Sequence, residues 1–257
     1  MPSTKTDRAW TQEELKGNPH EEANKADRVR RMFGAIAHRY DLNNRVHSAW
    51  QDQAWRRRVV AMAKITPQDR VLDMACGTGD LTLLLAKAGP EAILGMDFTE
   101  EMLAHARVKA KRWGQRHQGR IPDFQQGDAM AIDLPDQSMD VVTIAFGIRN
   151  VTDPSIAIAE FARILAPGGR VLILEFSEPT NRLIRACNAF YTRHVMPWTA
   201  SWLAGDRSGA YRYLPRSIST FAEPRELGVM MQAAGLTHIQ QQRMTGGMCT
   251  ISLATKP

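Results

Sequence analysis

The chain has 257 residues, enough for one large domain with a sizeable buried core. Its composition, 44% hydrophobic and 23% charged, is that of a soluble globular protein, and the sequence shows no internal repeat and no low-complexity segment. The net charge is +6, and Arg28, Arg30, Arg31, Arg39, Arg45 and Arg56 to Arg58 crowd the N-terminal quarter; such residues are solvated helix faces or a weak attractor of anionic surfaces. No apolar run approaches the ~20 residues that span a bilayer, and the N-terminus shows no apolar signal core. Cys76, Cys187 and Cys249 lie far apart without metal-ligand spacing, which indicates a reduced compartment and no metal site. A cytoplasmic protein is expected, with peripheral contact at the inner face of a membrane left open.

Residues 1–24 are polar and rich in acids, and predict a flexible lead-in to a single domain over 25–257. Val29, Met32, Phe33, Ile36 and Ala37 recur at helical spacing and predict a helix over 26–40; Trp55, Val59, Val60 and Met62 predict another over 50–63. Strand and helix signals then alternate. Strands are expected over 70–74, 92–96, 123–126, 139–146 and 170–175, with helices over 81–88 and 102–113. A further helix opens at Pro154, is capped by Asp153, and stops at Pro167-Gly168-Gly169. Between Asn181 and Phe221 the aromatics Phe190, Tyr191, Trp198, Trp202, Tyr211 and Tyr213 cluster, and a helical lid over about 183–221 is expected, ordinary helix-on-sheet packing being the alternative. A helix over 225–234 and strands over 239–242 and 250–254, joined near Gly246-Gly247, complete the chain. The pattern predicts an α/β fold, doubly wound around a mainly parallel seven-stranded sheet.

The segment Val71-Leu72-Asp73-Met74-Ala75-Cys76-Gly77-Thr78-Gly79-Asp80 reads as a strand, a tight turn and a helix start, where backbone approaches a ligand that a Cβ would exclude. A second apolar run ends at Asp97, the offset at which such sheets hold ribose hydroxyls. Thr82 replaces the third glycine of a dinucleotide turn, and Asp80 at the helix start disfavours a pyrophosphate. A nucleoside without phosphates but with a positive group fits, and S-adenosylmethionine answers that description. Gly77 and Gly79 are expected beside its methionine part, Asp97 on the ribose, Asp128 on the adenine amino group and Ala129 beside the ring; Asp73 and Thr78 are counted with them. Methyl transfer needs positioning and dehydration more than covalent help. Arg149 in Phe146-Gly147-Ile148-Arg149-Asn150-Val151 supplies a cation that stabilises an enolate or phenolate, a salt bridge on the rim being the alternative.

The segments Phe146 to Val151 with Asp153, Arg163-Ile164-Leu165-Ala166-Pro167-Gly168-Gly169-Arg170 leading to Leu174-Glu175-Phe176-Ser177, Tyr40-Asp41-Leu42-Asn43-Asn44 with Ser48 and Trp55-Arg56, and Tyr211-Arg212-Tyr213-Leu214 with Ser217-Ile218 resemble the C-methyltransferases of ubiquinone and menaquinone biosynthesis. The resemblance spans about Val29 to the C-terminus. It implies the class I S-adenosylmethionine-dependent methyltransferase (Rossmann-like) fold and methylation of a ring carbon on a polyprenylated quinol, either demethylmenaquinol or a demethylated ubiquinol precursor. The sequence departs from the family at Asn43, usually apolar there, at Asp52, often histidine, and at Ala145 and Ala166. Arg149 is expected to stabilise the oxyanion, Asn150 to orient it, and Tyr211 to assist from the lid. His47 and His194 lie in segments facing the acceptor, and the base stays unassigned. A nucleic-acid methyltransferase and a non-catalytic cofactor-binding subunit are the competing readings; the basic residues lack interleaved stacking aromatics, so no nucleic acid is expected. The oligomeric state, a homodimer included, stays open.

Overall fold

Apolar runs bounded by turns pair into one sheet of seven strands in the computed structural model, which describes residues 9–11, 13–117, 120–190 and 209–257, with 16, 187–190 and 211 described by backbone alone. The strands are β1 (Arg70–Met74), β2 (Ala92–Asp97), β3 (Asp123–Gln126), β4 (Met139–Ala145), β5 (Leu165–Phe176), β6 (Thr237–Met244) and β7 (Cys249–Thr255). Their order is β3-β2-β1-β4-β5-β7-β6, with parallel pairing through β5 and β7 antiparallel to both neighbours. Strand order reverses between β1 and β4, which opens a crevice beyond their carboxyl ends.

The helices are α1 (Lys25–Ile36), α2 (Tyr40–His47), α3 (Gln51–Ala63), α4 (Asp80–Ala86), α5 (Glu100–Gly114), α6 (Pro154–Ile164), α7 (Arg182–Phe190), α8 (Ala210–Ser219) and α9 (Pro224–Ala233). Ile158 and Phe161 of α6 and Leu227 and Met231 of α9 fill the core on one face of the sheet. Trp55 and Val59 of α3, Leu81 and Leu85 of α4 and Trp113 of α5 fill it on the other. Asp153 caps α6 as expected, accepting from Ser155 N and Ile156 N.

Three elements differ from expectation. The helix expected over 26–40 ends at Ile36, tightens into a 3-10 turn over Ala37–Arg39, and resumes as α2. Nothing in α2 shows apolar periodicity, because Leu42 is exposed while Tyr40, Asn43 and His47 line a cavity. In β5, Leu165 already pairs with Met139, so Pro167-Gly168-Gly169 forms an irregularity within the strand instead of a leader to it. Part of the stretch expected to be loose is packed, with Ala9, Trp10 and Pro19 buried. Trp10, 1% exposed, stacks on Tyr213 with ring centroids 4.8 Å apart, the Arg28 guanidinium lies 5.3 Å from the Trp10 ring, and His20 Nε2 meets Ser217 O at 2.9 Å. The lid expected over 183–221 falls partly outside the described residues, as do Tyr191, His194, Trp198 and Trp202.

Candidate active site

Two adjoining cavities sit at the carboxyl ends of β1 to β4. The first is lined by Met74, Ala75 and Gly77 after β1, Asp97 to Thr99 after β2, Asp128 to Met130 after β3, and Ala145 to Gly147 after β4. Ala26, Val29, Phe33 and Tyr40 close it from the helical side. The second, about 360 Å³, is walled by α1, α2, α3, α8 and Phe176, a volume within the range of small-molecule sites. Phe33, Tyr40 and Phe146 line both. These three residues form the partition between the cavities.

The first cavity follows from backbone. Gly77 and Gly79 have φ of +56° and +82°, the region in which a Cβ is strained. At Gly79 a Cβ would also press on the Phe124 ring at 3.2 Å, whereas at Gly77 the space is open toward Tyr40. Gly77 N donates to Asp97 Oδ2 and Thr99 N to Asp97 Oδ1, both at 2.8 Å, so the second strand's acid is locked to the first strand's turn. Each carboxylate oxygen keeps a further lone pair for a ligand hydroxyl. Burial pushes the Asp97 carboxyl above its ordinary range, opposed by those two amide donors. Asp128 Oδ1 accepts from Met130 N at 2.9 Å. Phe146, at φ +59°, and Ala75, at φ +49°, hold left-handed conformations at the two strand ends that meet here, and such strain gathers at functional sites.

Not every expected cofactor residue reaches this cavity. Gly77, Asp97, Asp128 and Ala129 line it; Asp73, Thr78 and Gly79 do not. Asp73 is fully buried beneath the turn, where Thr82 Oγ1 and Thr143 Oγ1 donate to its two oxygens at 2.6 and 2.7 Å. Burial raises its pKa to about 6. Its place in the interior of the sheet makes it a brace for the turn. Thr78 points the other way, its hydroxyl donating to Asp41 Oδ1 at 2.5 Å and so tying α2 to the turn. Asp80 is likewise engaged: Lys109 Nζ bridges it to Asp41, with Arg45 at 3.4 Å. Burial works against its ionisation, yet the Lys109 ammonium holds its carboxyl below the usual range. The feature disfavouring phosphate is therefore not a bare Asp80. It is a cavity wall that carries Asp97 and Asp128 and no Lys or Arg among the described lining residues.

The second cavity is assembled by side chains. Arg149, 4% exposed, lines it through the 3-10 turn Ile148–Asn150 that follows β4. Its Nη1 donates to Glu175 Oε1 at 2.6 Å and to Phe146 O at 2.8 Å, while its Nε has no partner among the described residues. The guanidinium lies 5.2 Å over the Phe176 ring. The salt bridge weighed from sequence is thus present, and it orients the cation while leaving it donors to spare. Asn150 lines the first cavity instead; its Nδ2 donates to Phe146 O at 3.2 Å, and its Oδ1 accepts from Tyr213 OH at 2.9 Å. The Tyr211 side chain falls outside the described residues; Tyr213, two positions on, meets the rim. Burial pushes its phenol up to about 12, so it stays a donor.

Tyr40, Asp52 and Arg56, given no role from sequence, line this wall, and Glu175 holds its Arg149. Tyr40 faces both cavities, and burial raises its phenol pKa. Glu175 holds Arg149 through both oxygens, and an acid ending an apolar strand, the pattern that singles out Asp97, was its signal. Asp52 and Arg56 pair at 3.0 Å, with Ser48 Oγ and Gln53 Nε2 also donating to Asp52 and Arg56 stacked 5.3 Å over Phe146. Three donors on its carboxylate fix Asp52 in place. His47 lines the same cavity, and burial lowers its pKa, which favours the neutral imidazole.

A doubly wound seven-stranded sheet with an acid-anchored glycine turn at its switch point defines a class I methyltransferase. A methyltransferase from Haloferax volcanii, solved with the Trm112 activator, shares the fold with a TM-score of 0.61 at 18% identity, over 88% of this chain and 97% of that one. Within the class, the model of the ubiE/COQ5 methyltransferase family matches residues 21–256, and the chain belongs to that family. It is 42% identical to the demethylmenaquinone methyltransferase of Thermus thermophilus over 88% of this chain and 100% of that protein. It is 41% identical to the ubiquinone/menaquinone biosynthesis C-methyltransferase UbiE of Geobacter sulfurreducens over 90% of each.

Proposed function

We propose that this protein is a C-methyltransferase that moves a methyl group from S-adenosylmethionine to a ring carbon of a polyprenylated quinol, demethylmenaquinol first among the candidates. The observation that carries this reading is the pair of cavities sharing one partition, Phe33, Tyr40 and Phe146, in a chain about 40% identical to quinone-pathway C-methyltransferases. The wall of the first cavity suits a phosphate-free nucleoside with a positive group. Asp97 would take the ribose, Asp128 and Ala129 the adenine, and Gly77 the backbone approach to the methionine part. When bound, that cofactor supplies an electrophilic methyl.

The chain's own residues do the rest. A quinol ring carbon gains nucleophilicity as its neighbouring hydroxyl gives its proton to solvent. Once the methyl is bonded and the thioether has left, the ring carbon's own proton departs and the oxygen is reprotonated, one proton being released in all. Arg149, always protonated, stabilises the oxyanion through donors that Glu175 leaves unused. Asn150 and Tyr213 hold that turn in place, and Asn150 Nδ2 fixes the Phe146 carbonyl. The apolar residues Met32, Phe33, Ile36, Trp55 and Phe176 around the second cavity exclude water from the reacting pair. The segment 183–221 is proposed to cover the acceptor, within a single domain over 25–257.

The acceptor's tail ties the reaction to a membrane surface. No described helix is long and apolar enough to cross a membrane. Leu42 and Trp50, 50% and 60% exposed, stand on the α2–α3 hairpin whose inner side lines the second cavity, near Arg39 and Arg45. An exposed tryptophan beside basic residues suits peripheral contact at an anionic interface. Mass spectrometry of quinones from a strain lacking this protein tests the function: accumulation of ring-demethylated quinone supports it, and an unchanged quinone profile refutes it.

A further inference from the structure

Asn43 occupies the wall of the second cavity on α2, one residue short of a full helical turn beyond Tyr40 and on the same face. Its side chain is 2% exposed, and neither Oδ1 nor Nδ2 has a hydrogen-bond partner among the described residues. The polar groups next along the same wall are each at least partly engaged: Ser48 Oγ and Arg56 Nη1 both donate to the Asp52 carboxylate, although Arg56 Nε has no partner among the described residues. A buried primary amide with both ends unpaired carries the full desolvation penalty of each, and a leucine of similar size would avoid it. The amide is therefore understandable if its partner arrives with the ligand.

Resting on the reading of this cavity as the quinol site, we propose that Asn43 is a specificity-determining contact for the reduced acceptor ring. Its Nδ2 donates to a ring hydroxyl oxygen and its Oδ1 accepts from a ring hydroxyl proton. A hydroxyl offers both a lone pair and a proton, whereas a quinone carbonyl offers lone pairs alone and leaves Oδ1 unpaired. The position past Tyr40, away from the partition, assigns Asn43 to an edge of the ring other than the methylated carbon. The residue thereby selects the redox state that can react.

The test compares the full chain with its Asn43→Leu variant, using a short-chain demethylated naphthoquinol kept reduced, the matching quinone as inhibitor, calorimetry for the cofactor, and thermal unfolding. The variant is expected to show a KM for the quinol raised about tenfold or more and a smaller ratio of quinone Ki to quinol KM. Cofactor Kd stays put, and Tm is equal or higher because an unpaired amide has gone. Unchanged quinol KM, whether Tm rises or falls, overturns the proposal and leaves Asn43 a structural or water-held residue. Should the variant fail to fold, wild-type protein labelled with ¹⁵N-asparagine decides: one side-chain amide must shift on adding quinol and much less on adding quinone, and no such shift overturns it. If the wild type methylates no quinol at all, the functional reading fails; an active wild type with an indifferent variant sinks this inference alone.

Discussion

The cavity at the ends of β1 to β4 takes its form from backbone: two glycines at positive φ, an acid locked to a turn by two amide donors, and strand ends set by parallel register. Its neighbour takes its form from side chains on α1, α2, α3 and α8 that meet across long stretches of chain. The first therefore tolerates change everywhere except at a few positions dictated locally, and the second is where chains of one family can diverge in acceptor without altering the cofactor site. Phe33, Tyr40 and Phe146 are the only residues on which the two depend together among those described.

Arg149 offers the harshest way to break this division. Arg149→Met is expected to lower single-turnover rate by ~10²-fold or more with cofactor affinity nearly intact. Because Glu175 is 2% exposed and would be left as an unpaired buried charge, stability should also fall by about 3–5 kcal/mol in chemical denaturation. Adding Glu175→Gln should recover much of the stability and none of the rate. Recovery of both would mean that the pair is a structural element only.

Asp73 tests the backbone side without touching a ligand. Its carboxyl titrates near 6 in the folded protein against an ordinary 3.8. Between those values the folded state binds more protons than the unfolded one, so this group lowers stability as pH rises toward 6, and the penalty persists above it. Asp73→Asn should therefore gain stability relative to the parent between pH 4 and 6, by on the order of 3 kcal/mol, and level off beyond. A difference that does not vary with pH would show Asp73 ionised throughout.

Asp97→Ala should weaken cofactor binding by about 1.5–3 kcal/mol, roughly tenfold to a hundredfold, in calorimetry, with quinol KM little changed at saturating cofactor. The smallest effect is expected at the joint between the two regions. Thr78→Val removes the donor to Asp41 that ties α2 to the glycine turn, and should cost about 1 kcal/mol of stability. If instead it abolishes cofactor binding, Thr78 belongs to the first cavity after all.

The contrast also explains what could be read before the fold was known. Apolar runs and turn residues fix four of the five parallel strands within a residue, the fifth beginning five residues earlier than expected, and the acids after β2 and β3 mark the rim, because these signals are local. The same logic oversteps at Asp73 and Thr78. A strand's last acid and a turn's threonine look alike in sequence whether they face the crevice or the interior, and only the register of Asp73 against Thr143 decides. The second cavity was scarcely legible. Helix α2 buries Asn43, half-buries Tyr40 and exposes Leu42, the reverse of an apolar stripe, and the packing of Trp10 on Tyr213 joins segments about two hundred residues apart.

The most direct test of the central claim is a transfer reaction with S-adenosylmethionine carrying a deuterated methyl group, purified protein, and demethylated naphthoquinol and benzoquinol acceptors held reduced. The account predicts a labelled methyl on a ring carbon of a quinol, located by fragmentation mass spectrometry, and a rate that falls with Arg149→Met. A label found on oxygen, or on nucleic acid with neither quinol modified, would contradict it.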